Sequence, residues 1–144
     1  MRLQTNTSLA LYSVLDFASV PERHIPAAEI AAKYGVSPHH LAKVLAQLAR
    51  SGIVASVRGA GGGYRFTGNA RRLTLLDIIQ MFEDIAPPTA EAGANGHTAP
   101  VAAALGVVLA EIDGNAKATL SSITLATMLR LIQRQQVAAA AKPA

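Results

Sequence analysis

Apolar residues recur along the first third of the chain at helical spacing. Residues 6–19 carry Leu9, Leu11, Tyr12, Leu15 and Phe17 on a broad apolar face, with Thr7 or Ser8 placed to cap the helix. "PERH" breaks that pattern. A short helix is predicted from Pro26 to Tyr34, with Pro in its first turn and Ala28, Ile30 and Ala31 inward, and Gly35 ends it. In "VSPHHLAKVLAQLARSG" the pattern restarts. Ser37 is a good N-cap, Pro38 takes the first helical position, and Leu41, Val44, Leu45 and Leu48 form an i, i+3, i+4, i+7 stripe before Gly52. Two helices joined by a short Gly-containing turn predict a helix-turn-helix, whose second helix exposes His39, His40, Lys43, Gln47 and Arg50.

The period then changes. Ile53 to Val57 has strand composition and Tyr64-Arg65-Phe66 alternates, which predicts a hairpin. Leu73 to Ile85 returns to helix, with Thr74 as its cap and Asp77, Glu83 and Asp84 as surface or helix-end charges. Residues 86–100, "APPTAEAGANGHTAP", have linker composition. Residues 101–120 are Ala-rich and helix-forming, although Gly106 and Gly114 weaken the pattern. Leu120 to Gln135 forms another amphipathic segment, with Leu125, Met128, Leu129 and Ile132 on one side, and residues 137–144 read as a frayed tail. There are no internal repeats.

The glycine cluster in "SVRGAGGGYRF" admits two readings. A phosphate-cradling loop sits between a strand and a helix N-terminus. Here the glycines run into Tyr64-Arg65-Phe66, a returning strand, and their spacing fits neither GxGxxG nor GxxxxGK[ST]. The loop therefore belongs to a hairpin tip, and a hairpin directly after a helix-turn-helix is a wing. Glycines let such a tip turn sharply and approach a sugar–phosphate backbone. Arg58 at its base suits a narrow minor groove or phosphates.

Composition and charge sharpen this picture. The chain has 144 residues, 51% hydrophobic but only 4% aromatic, so its apolar content suits helices better than a β-sandwich. It has no cysteine, which excludes disulfides, Cys-ligated zinc and ordinary iron–sulfur ligation. No signal peptide is read at the N-terminus, and the longest apolar run, Val101 to Ile112, falls short of a bilayer span. A cytoplasmic protein without membrane contact is the expectation. Residues 1–83 hold nine Lys/Arg and five Asp/Glu, whereas residues 84–144 hold four of each. No acid occurs between Glu29 and Asp77, a stretch carrying Lys33, Lys43, Arg50, Arg58, Arg65, Arg71 and Arg72. An acid-free run of this length is the footprint of a polyanion-binding surface.

The block "VSPHHLAKVLAQLARSGIVASVRGAGGGYRF" resembles the core of the BadM/Rrf-two family of winged-helix regulators (IscR-, NsrR-, RirA- and CymR-like). The opening "MRL" and the segment around "LTLLDII" extend the similarity over residues 1–85, and "SITLATML" resembles the family's last helix more loosely. The resemblance implies a mainly α, homodimeric winged helix-turn-helix protein with a two-stranded β wing and a long C-terminal dimerisation helix. Its helix-turn-helix enters adjacent major grooves and its wings touch the flanking minor grooves. By position, Ser37 to Arg50 is the reading helix, with His39, His40 and Lys43 facing DNA, and Arg58 and Gly59 are wing residues. Sensor members carry three linker cysteines for an iron–sulfur cluster. Ala99 stands where many relatives have Cys, and only Glu91 and His97 offer other ligands nearby. Either this member senses something else, or its cysteines have been replaced.

No HExxH, GxSxG or carboxylate cluster points to an enzyme. Adjacent His39 and His40 would point about 100° apart on a helix, which suits phosphates or guanine edges better than zinc. The rival reading is a winged helix used for protein contact, or a ligand sensor with little DNA affinity. Val101, Leu105, Val108, Leu109 and Ile112 must be buried on something, and a self-dimer explains them most economically. The sequence thus predicts a DNA-binding domain over 1–85, a linker and effector loop over 86–100, dimerisation helices over 101–136 and a tail over 137–144. The expected function is a homodimeric repressor without cofactor, bound to double-stranded DNA and responsive to a small-molecule effector. Its expected DNA contacts are Ser37, His39, His40, Lys43, Gln47, Arg50, Arg58, Gly59 and Arg65.

Overall fold

Leu9, Ala10, Val14 and Phe17 share one face of the first helix, and the rest of the core assembles on it. The computed structural model describes residues 2–85 and 99–141. Helix α1 spans Thr5–Ser19, α2 Ala27–Tyr34 and α3 Pro38–Arg50. Strands β1 (Val54–Val57) and β2 (Gly63–Phe66) follow, then α4 (Leu75–Ile79), α5 (Ala99–Ser122) and α6 (Leu125–Ala141). Helix α1 is the hub: it packs against α3, α4, α6 and β2. Buried Leu41, Leu45 and Leu48 of α3, Ile78 and Ile79 of α4, and Leu125 of α6 complete the core around it.

The expected wing is present. β1 and β2 pair antiparallel in the register Val54↔Phe66 to Val57↔Gly63. Ile25, just ahead of α2, adds a third rung through Ile25 N–H to Tyr64 O (2.8 Å) and Tyr64 N–H to Ile25 O (2.9 Å). The wing is therefore fastened to the helix-turn-helix by backbone hydrogen bonds. Gly63 permits this approach, because a Cβ there would lie 2.5 Å from the carbonyl carbon and oxygen of Ile25.

Several expected boundaries move. Helix α1 starts at Thr5 with Gln4 as its N-cap, and Thr7 is not a cap but a buried residue within the first turns. Its hydroxyl donates to Glu83 Oε2 (2.6 Å), and the same oxygen accepts the Gln4 N–H (2.9 Å). A carboxylate from far along the chain thus serves the orphan donors that a local cap would serve. The expected helix over 73–85 shortens to Leu75–Ile79. Thr74 caps it as expected, and Asp77 closes a reciprocal capping box rather than idling on the surface.

Helix α5 runs unbroken through Gly106 and Gly114, and α6 continues to Ala141, past the Gln136 limit expected for it. The strong helix preference of the Ala run at 138–141 accounts for that extension. Helix α5 has no buried residue, and its main packing partner is α4. Its 24 residues are long and apolar enough to cross a membrane by length and composition, which corrects the expectation drawn from the shorter apolar run. The expected linker, apart from Ala99 and Pro100, lies outside the described residues, together with Glu91 and His97. So do residues 142–144.

Candidate nucleic-acid interface

Helix α3 presents its outer face because its inner face is fully committed. Leu41, Val44, Leu45 and Leu48 are buried, so residues a half-turn away must look outward. Ser37 sets the start: its hydroxyl oxygen accepts the His40 N–H at 3.1 Å, with Pro38 next. His39, Ala42, Lys43, Ala46 and Arg50 are exposed. The spacing 39, 43, 46, 50 places His39, Lys43 and Arg50 in one row, separated by small residues that let a surface approach the backbone.

Two expected contacts are held differently. Gln47 is half-buried and its amide donates to the carbonyl of Met81, tying α3 to the turn after α4. His40 is half-buried too, and its Nε2 is enclosed without a hydrogen-bond partner. Both residues flank the outward row. Ser37 is exposed, with its hydroxyl engaged as the cap.

On the wing, Arg58 follows β1 directly and is exposed, and Gly59 next to it has φ +103°, a conformation that favours glycine. Arg65 and Phe66 are neighbours on β2 and point to opposite sides: Phe66 joins the core and Arg65 is exposed.

Neutralisation separates the cations into two groups. Arg23 pairs with Glu29 (2.9 Å) and Lys33 with Asp16 (3.0 Å). Among the described residues, Lys43, Arg50, Arg58, Arg65, Arg71 and Arg72 make no ion pair. Six cations on α3, the wing and the loop after it thus carry charge that no carboxylate neutralises, and unneutralised cations attract a polyanion.

Sequence reasoning did not find the cluster behind Lys33. Asp16 accepts from Lys33 Nζ and from the Tyr34 hydroxyl (2.7 Å), and Tyr34 stacks on Tyr12 with ring centroids 5.2 Å apart. Burial, reinforced by the Asp16 carboxylate, raises the Tyr34 phenol above the ordinary tyrosine range. The phenol therefore stays protonated and donates. No local signal joins residues 17 and 18 positions apart on different helices.

A thiolate-held iron cluster does not fit this chain. It has no cysteine, and no group of three or more His, Cys, Asp or Glu that could hold a metal occurs among the described residues.

The helix-turn-helix, the wing beside it and the long helix beyond define a winged helix-turn-helix regulator. The sequence profile of Rrf2, described as an iron-dependent transcriptional regulator, matches residues 3–131. The chain belongs to the Rrf2 family of transcriptional regulators. It is 46% identical over 136 residues to BadM of Rhodopseudomonas palustris, named as an HTH-type transcriptional regulator; the match covers 94% of this chain and 86% of BadM. The structure of T. potens IscR superposes with a TM-score of 0.71 at 27% identity, covering 94% and 91% of the two chains. CymR of B. subtilis, titled a global cysteine regulator, shares the fold with a TM-score of 0.73 at 24% identity, covering 91% and 98%. These relatives are transcriptional regulators, not enzymes.

Proposed function

We propose that this protein is a homodimeric, cytoplasmic, DNA-binding repressor that reads a palindromic operator. The observation that carries the proposal is the unneutralised cationic surface. His39, Lys43 and Arg50 stand in one row on α3, and Arg58 and Arg65 add exposed, unpaired cations on the wing. A helix of this kind fits the major groove, where Lys and His reach guanine acceptors or phosphates, and a wing arginine fits the flanking minor groove. Ser37, with its backbone at a helix N-terminus, suits a phosphate. His40 and Gln47 are proposed to support the reading row from beside it.

The exposed apolar side chains of α5 support the dimer reading. Val101 and Val107 are 69% and 70% exposed, and Leu105, Val108 and Ile112 are exposed as well. Apolar helices of this kind gain stability from burial, so they call for a partner. A second copy would supply one, and a two-fold dimer suits a palindrome whose half-sites lie about 34 Å apart. A bilayer is the weaker alternative. The apolar run Val101 to Ile112 is about 18 Å long at 1.5 Å per residue, against about 30 Å of hydrocarbon. Glu111 already interrupts that run, and Asp113, Asn115 and Lys117 lie beyond it.

The test is a titration of the purified protein on the DNA upstream of its own gene, against a scrambled fragment, at two salt concentrations. The expected result is preferential binding that weakens steeply with salt, because each neutralised phosphate adds about 0.9 to the log–log slope. Salt-insensitive association, or none at low salt, would instead favour a protein-contact role for the wing.

A further inference from the structure

A cleft of about 430 Å³ opens where the helix-turn-helix meets the last helix. One wall is Leu15, Asp16 and Lys33, from α1 and α2; the other is Leu129, Ile132 and Gln133, from α6. Helix α6 follows α5 and packs on α1. Its start is fastened by Leu75 N–H to Ile123 O (2.9 Å), Leu125 N–H to Leu73 O (2.8 Å) and Ala126 N–H to Ala70 O (2.8 Å). The cleft therefore lies between the helix-turn-helix and the helix whose start is tied to the α4 segment that carries α5.

We infer that this cleft binds a small amphipathic carboxylate, its head on the Lys33 ammonium and its aliphatic body against Leu15, Leu129 and Ile132. We infer also that occupancy shifts operator affinity, a second half that rests on the regulator reading above.

The charge preference follows from how the cluster is wired. Lys33 Nζ lies 3.0 Å from both Asp16 oxygens, yet its side chain is 56% exposed, so the ammonium keeps an open side. Asp16 has a second donor in the Tyr34 hydroxyl. Turning Lys33 towards a ligand anion thus leaves Asp16 hydrogen-bonded, which removes the main penalty for breaking an ion pair. A ligand cation would meet the exposed Lys33 ammonium, whereas Asp16, which also lines the cleft, is only 21% exposed and already accepts from Lys33 and Tyr34. The cleft lining contains no aromatic ring, and its apolar walls are aliphatic. Its volume lies at the small end of ligand cavities, which suits a short-chain or medium-chain acid. A molecule wedged between α1 and α6 would push on the start of α6 and, through its hydrogen bonds to residues 70–75, on the α4 segment against which α5 packs. It would so alter how two copies joined through α5 hold their α3 helices.

Calorimetry of the full chain with octanoate, and with octylamine as the matched cation, tests the site without DNA. The expected result is saturable binding of one octanoate per chain and no comparable octylamine binding. Lys33→Gln and, independently, Ile132→Glu should each weaken octanoate at least tenfold. Equal binding of the amine, or parent-like octanoate binding in both variants, would overturn the site. A titration of upstream DNA with and without saturating octanoate tests the second half, with a midpoint shift of at least threefold expected. An unchanged midpoint overturns the regulatory role. Octanoate binding with the Lys33 dependence, but no retention of any DNA, would sink the regulator reading while leaving the site standing.

Discussion

Lys43 and Arg58 are both exposed and unpaired, but they sit on different elements and should fail differently. Lys43→Ala removes a charge from the α3 row. If it reads a base edge, the loss should be about 1–3 kcal/mol and concentrated on the operator. Arg58→Ala should weaken binding across many sequences and lower the salt slope by about one if its contact is a phosphate. Titrations on operator and scrambled DNA at several salt concentrations separate the two outcomes. Gly63 is a different kind of residue, since it reads nothing. Gly63→Ala would drive a Cβ to 2.5 Å from the Ile25 backbone at φ +154°. Destabilisation of about 1–3 kcal/mol is expected. Faster amide exchange at Tyr64 and Ile25 would locate the damage in the wing, and unaltered exchange there would refute it.

At the level of elements, α3 and the wing were legible because their signals are local. Ser37-Pro38, the 41-44-45-48 stripe and the glycine cluster each act within a few residues. The capping box of α4 was equally local: Thr74 and Asp77 stand at T-x-x-D spacing, and Asp77, expected as a surface or helix-end charge, closes the box. The start of α1 was illegible. Its cap comes from Glu83, 76 residues beyond Thr7, and no window along the chain joins them. Gln47 is a comparable case. Periodicity turns it outward, and only the fold brings the Met81 carbonyl to its amide. Thr7→Val keeps the shape and removes the hydroxyl donated to Glu83. A loss of about 1.5–3 kcal/mol is expected, as for hydrogen bonds to charged groups. Urea unfolding measures it, and a loss below a few tenths would show the Glu83 contact to be incidental.

For the whole molecule, the largest question is what covers α5. A helix whose apolar side chains stand 53–70% exposed at Val101, Leu105, Val107, Val108 and Ile112 is, on the proposed reading, half of a dimer interface. Leu105→Glu combined with Val108→Glu should shift the protein from dimer to monomer in sedimentation. Operator affinity should fall with it, because two half-sites then bind independently. A variant that remains dimeric would move the interface elsewhere. Fold class was accessible from sequence because it rests on short-range periodicity, and the proposed reading surface was suggested by the acid-free run. The joint between α1, α2 and α6 was not, since Asp16, Lys33 and Ile132 meet only through tertiary packing.

The outward row of α3 is separate from the face that holds the helix in place. His39, Lys43 and Arg50 lie away from the stripe formed by Leu41, Val44, Leu45 and Leu48. Exchanging those three side chains should change thermal stability by no more than about 0.5 kcal/mol each, as for ordinary surface positions. The scaffold is thus indifferent to the text it is given to read. Gene duplication followed by drift at three codons could send a copy to new promoters without an intermediate that fails to fold.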